Sequence, residues 1–205
     1  MSLGFSKFKY SCFNHSFKKE LLKSFLIILF WILLLILGRF IKFKSDINYN
    51  FLFDILFTSI FVGVAEELLF RVWLFEELKL FLSTNQAIFC QSILFSMVHP
   101  YNSGESLTVN ILMKIGLLLL GVYLNLLRIN NYPNIFPSIA FHSGIVGFMF
   151  LAKSTLQVQG NYPYLIYGIQ YDSFINPVSG LIGIFTLFIL NLYQVKIFKK
   201  ISKVG

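Results

Sequence analysis

The sequence predicts an all-α fold, a polytopic integral membrane bundle of about six transmembrane helices. Three observations carry this. The 205 residues are 57% hydrophobic and 13% charged, with a mean hydropathy of +0.74, whereas about a quarter of the residues in a soluble domain are charged. The apolar residues come in continuous runs rather than in period-two alternation, which selects helices over a β-barrel. Lysines bracket the runs: Lys7, Lys9, Lys18, Lys19 and Lys23 at the start, Lys196, Lys199, Lys200 and Lys203 at the end. Basic residues so placed meet anionic headgroups and set orientation.

The elements follow in order. A basic segment, 1–20, leads into an apolar run over 21–38, long enough to cross a bilayer at about 1.5 Å per residue. Arg39, Lys42 and Lys44 follow it without an Ala-x-Ala-like site, so it reads as an uncleaved span rather than a secretory signal. Further spans are expected over 51–75, 86–99, 107–127, 135–152 and 178–195, giving a transmembrane domain over 21–195 and a basic tail over 196–205. An even number of spans puts both lysine-rich termini on one side, cytoplasmic in a bacterial inner membrane or stromal in a plastid membrane. Turns fall at 100–104, at 130–134 and over 154–177, where Gly160, Pro163, Asp172, Asn176 and Pro177 mark an outer loop.

The net charge of +8 does not indicate nucleic acid, because the basic residues flank the spans instead of forming a patch. Cys12 and Cys90 are too few and too separated for a disulfide framework. The 25 phenylalanines fit an AT-rich coding genome, as in some bacteria and plastids.

The second span carries Glu66, Glu67 and Arg71. Each charge at a helix centre in lipid costs roughly 2.5–3.5 kcal/mol, so such residues mark function or a tight pair. Successive helical residues differ by about 100°, so Glu66 and Glu67 should not both enter one narrow cavity. Glu67 and Arg71 stand four apart on one face, spaced for an ion pair that leaves Glu66 free to act. If the second and third spans form a hairpin turning at 82–85, Glu66 and His99 each lie about 16 residues from the turn, roughly 24 Å along their helices. They can then face each other. His142, counted from the turn near Tyr132, falls shallower, at about 12–15 Å.

Taken together, Glu66-Glu-x-x-x-Arg71, Phe95-x-x-x-His99 and a later intramembrane His142 resemble, in order and spacing, the type II CAAX prenyl endopeptidase and bacteriocin-processing (CPBP, Abi-like) family of intramembrane proteases. The resemblance covers a core over 51–152. It implies a helical membrane peptidase in which Glu66, assisted by His99, activates water, His142 stabilises the oxyanion, and Glu67 and Arg71 support them. It also implies a peptide or membrane-protein substrate. The chain departs from the family at position 146, Val where a polar residue, usually Asn, follows the histidine by four. Loss of one oxyanion donor costs about a hundred- to thousand-fold in turnover, so His142 works alone, Ser143 substitutes, or the chain is a silent relative.

Other readings stand beside this one. Glu66, His99 and His142 are a set that zinc could use, but without His-Glu-x-x-His, and a Glu–His pair needs no cofactor to activate water. Glu67–Arg71 can be a purely structural pair. A scaffold or immunity-type partner, or a small transporter subunit relaying protons, would also place carboxylates in the membrane. Lys114 is expected to snorkel to the headgroups, and Asn110 and Asn125 to join helices.

Overall fold

The computed structural model describes residues 15–45, 51–99, 106–171 and 174–201. Lys7, Lys9, Cys12, the turn at 100–104, Asp172 and Lys203 lie outside them. The chain is a helical bundle. Helix α1 (His15–Leu37) leads to strand β1 (Ile41–Phe43); α2 (Phe51–Glu67) runs without interruption into a π-helical segment (Leu68–Leu74) and α3 (Phe75–Lys79). Then come α4 (Thr84–Val98), α5 (Leu107–Asn130), α6 (Phe136–Thr155), β2 (Leu156–Val158), α7 (Tyr164–Tyr167), β3 (Gln170–Tyr171), β4 (Phe174–Ile175), a 3-10 turn (Pro177–Ser179) and α8 (Leu181–Ile201).

Among the described residues four helices are long and apolar enough to cross a membrane, over Ser16–Leu37, Leu107–Asn130, Phe136–Thr155 and Leu181–Lys200. The other two of the six expected spans differ in form. The second is helical over 51–79 but changes winding after Glu67. The third, α4, has 15 residues, about 22 Å of helix, short of the roughly 30 Å hydrocarbon layer. Its ends are set chemically. Ser83 and Gln86 form a reciprocal capping box at the start. Pro100 follows His99 in sequence, and a residue before proline is driven out of the helical region; His99 is extended, at φ −71° and ψ 134°.

Two groups of three helices build the bundle. α6 packs between α1 and α2, and α5 between α4 and α8. Phe70, Phe95, Leu120, Tyr123, Leu124 and Phe141 form the main core where the groups meet. α2 shows how lipid inverts the usual pattern. Its buried residues are Ser59, Gly63 and Glu67, four apart on one stripe, while Phe53, Phe57 and Phe61 stack outward at 6.4 and 6.1 Å between ring centroids. Small residues let helices close where lipid offers no hydrophobic drive. Within that seam a Cβ on Gly63 would stand 2.0 Å from Ser143 Oγ and 3.0 Å from its backbone nitrogen. Gly63→Ala is therefore expected to cost about 1–3 kcal/mol by overpacking and to move Glu66 and Glu67 away from α6. Thermal melts in detergent check this, with partial rescue by Ser143→Gly.

The stretch over 154–177 is not irregular throughout. β2 pairs antiparallel with β1, joining Ile41 to Val158 and Phe43 to Leu156, and β3–β4 form a second ribbon. Ile169, Phe174 and Ile175 are buried there, Phe174 lying edge-on to Trp31 at 5.9 Å. α1 is thus packed into the protein. Asn125 joins helices as expected, with Nδ2 donating to Gln91 Oε1 and Ser92 Oγ of α4.

Lys114 corrects the sequence reading. It does not reach for headgroups: its ammonium donates to the carbonyls of Ser96, at 2.9 Å, and His99. Ser96 Oγ returns a bond to Lys114 O at 2.8 Å. The reason is local, because the end of α4 leaves carbonyls without intrahelical donors and a cation is favoured there.

Candidate active site

The site forms where the end of α2 and its π-segment meet α6 and the last turn of α4. Glu67 ends the stripe that α2 buries against α6, and the following segment widens to i→i+5 bonding, with Phe75 N–H reaching Phe70 O. Single π-turns recur at functional positions in helices. Both Phe70 and Arg71 are buried within it.

Glu67 is the hub. Its Oε1 lies 3.2 Å from Arg71 Nη1 and 2.8 Å from His142 Nδ1, and Glu67 and Arg71 are wholly buried. Arg71 presents its guanidinium over the Phe95 ring at 4.2 Å, so a cation that makes no aligned hydrogen bond gains a quadrupole, worth about 2 kcal/mol when desolvated. A carboxylate only accepts, so His142 Nδ1 carries the hydrogen and Nε2 points elsewhere.

That second nitrogen stands 3.8 Å from Glu66 Oε2. The sequence argument that adjacent glutamates cannot share one cavity is corrected here: the imidazole is wide enough to meet one carboxylate at each nitrogen. The 3.8 Å gap is too long for a direct hydrogen bond and suits a bridging water. Among the described residues Glu66 Oε2 is buried with no hydrogen-bond partner, while the side chain as a whole is 29% exposed.

The expected Glu66–His99 partnership is not made by a direct bond. Among the described residues His99 makes no hydrogen bond or ion pair to Glu66; the imidazole beside Glu66 is that of His142. His99 belongs to the same cluster through Phe95, whose ring lies edge-on to both imidazoles, at 4.8 Å from His99 and 6.1 Å from His142. Its Nδ1 meets Phe95 O at 2.8 Å. A carbonyl accepts, so this ring too keeps its hydrogen on Nδ1 and leaves Nε2 for other work.

Phe95 and Lys114 are the participants that sequence reading missed. Phe95 was noted only as a motif letter, and its signal is the i,i+4 spacing to His99. No three His, Cys, Asp or Glu side chains gather closely enough to hold one metal ion among the described residues. Val146 lies one turn beyond His142 on α6, half-buried.

All three ordered elements fall within residues 48–148, and over these residues the chain matches the family model described as type II CAAX prenyl endopeptidase Rce1-like. This segment, which holds the candidate site, belongs to that family. No curated protein and no solved structure matches it. Membership in the type II CAAX prenyl endopeptidase Rce1-like family, with four apolar span-length helices, makes it a membrane protein of the CAAX-protease type. The match takes in α2 to α6, so Glu66, Glu67, Arg71, His99 and His142 all lie inside it, and so does Val146.

Proposed function

We propose that this chain is an intramembrane endopeptidase that hydrolyses a peptide bond in or near the bilayer. Glu66 takes a proton from water held between its Oε2 and His142 Nε2, and the resulting hydroxide attacks the peptide carbonyl. His142, oriented through Nδ1 by Glu67, donates from Nε2 to the oxyanion when protonated there. The proton taken by Glu66 then passes, by way of His99 Nε2, to the amine nitrogen as the C–N bond breaks, which returns Glu66 to its starting carboxylate. Arg71, 3.2 Å from Glu67 Oε1, holds that side chain in place. The single observation that carries this reading is the partnerless, buried carboxylate oxygen of Glu66 set 3.8 Å from an imidazole nitrogen. The substrate is a peptide or a membrane protein. The test is cleavage of a panel of fluorogenic peptides, prenylated and unprenylated, by purified protein and its Glu66→Gln variant, with and without a zinc chelator.

Val146 favours a second reading, a catalytically silent membrane scaffold or immunity-type partner. The two separate on Val146→Asn. An enzyme short of one oxyanion donor should gain turnover about tenfold or more, read as kcat on the same peptides; a dedicated scaffold gains none.

A further inference from the structure

His99 closes α4 in an unusual way, and its neighbour in sequence explains why. In the common helix ending, the N–H of the residue after the C-cap returns to the carbonyl three residues before the cap. Here the cap is His99, that carbonyl belongs to Ser96, and the residue that should donate is Pro100, which has no N–H. The Lys114 ammonium, from the facing helix α5, takes the vacant place. It donates to Ser96 O at 2.9 Å and also to His99 O. Ser96 Oγ ties back to Lys114 O, so α4 and α5 are joined in both directions at this one level.

We infer that Lys114 is a positioning residue for His99: by capping the last turn of α4 it fixes the backbone that carries the imidazole, keeps Nδ1–H on Phe95 O, and so presents Nε2 to the site. The inference rests on the peptidase reading for its effect on turnover, but not for its effect on the ring. Two anchors, one on the His99 carbonyl and one on its Nδ1, leave the side chain a single arrangement. Without Lys114 the carbonyls of Ser96 and His99 lose their donor, the last turn frays, and the Nδ1–Phe95 bond goes with it. Outer contacts that orient a ligating histidine in metal sites are worth about 10–100-fold in activity, and an effect of that order is expected here.

The experiment uses the full chain in lipid nanodiscs with ¹⁵N-labelled histidine, as wild type, Lys114→Met and Lys114→Arg. The imidazole nitrogen shifts of His99 report its tautomer, and peptide cleavage reports kcat and KM. In the wild type and in Lys114→Arg, which keeps the donors, His99 is expected to show one tautomer with hydrogen on Nδ1. Lys114→Met should show mixed tautomers and a kcat lower by about 10–100-fold at unchanged KM, and should cost nothing more in a His99→Ala background. A Lys114→Met protein with the wild-type His99 spectrum overturns the inference. If that variant does not fold, Lys114→Ala, which likewise removes every donor, takes its place under the same criterion. If the wild type cleaves no peptide, the peptidase reading fails alone, and the spectrum still decides the role of Lys114.

Discussion

Glu66→Gln is expected to lower peptide cleavage by roughly 10²–10⁴-fold, the usual worth of a positioned general base, while leaving the protein folded. The reason is visible in the partners. Glu66 Oε2 makes no hydrogen bond among the described residues, so an isosteric amide breaks no such contact. It removes only the basicity that the 3.8 Å gap to His142 is arranged to use. The same change at Glu67 should behave differently, because Glu67 Oε1 holds both Arg71 and His142. Equal kcat/KM and equal thermal stability for the two variants would contradict this division of labour. Turnover and melting temperature measured side by side are sufficient to check it.

Arg71→Met is expected to be the most destabilising single change at the site, by about 3–5 kcal/mol, because it leaves the Glu67 carboxylate buried with its compensating charge removed. Arg71 and Glu67 are both wholly inaccessible, so solvent does little to soften that loss. Removing both charges should be milder than removing one: Glu67→Gln with Arg71→Met is expected to recover much of the stability, since no lone ion remains. Activity should not return with it, as His142 then lacks the carboxylate that orients it. Thermal unfolding in detergent, with the four proteins arranged as a double-mutant cycle, gives the coupling directly.

The helical membrane bundle was legible in the sequence because lipid makes a simple demand: every backbone group satisfied within a helix and an apolar surface outside. Continuous runs over 107–127 and 135–152 became α5 and α6 with ends shifted by a few residues. The Glu67–Arg71 pairing was legible too, since i,i+4 spacing survives a change in winding. The partnership of residues on different helices was not. Residue counts from a turn give distance along an axis and say nothing of how the helices face one another, so they do not reveal that His142 meets both carboxylates. Lys114 was misread for a related reason. A lone lysine in an apolar run snorkels unless a neighbouring helix ends beside it, and that ending depended on Pro100, fourteen positions away in sequence.

The site stands or falls on Glu66 opening to water beside His142 while its neighbours on the helix face lipid, as Leu69, 49% exposed, does. Cysteine accessibility measures this. With Cys12 and Cys90 replaced by serine, Glu66→Cys in nanodiscs is expected to react with a charged, water-soluble methanethiosulfonate, and Leu69→Cys only with a lipid-soluble maleimide. A position 66 that reacts only with the lipid-soluble reagent contradicts the hydrolytic site.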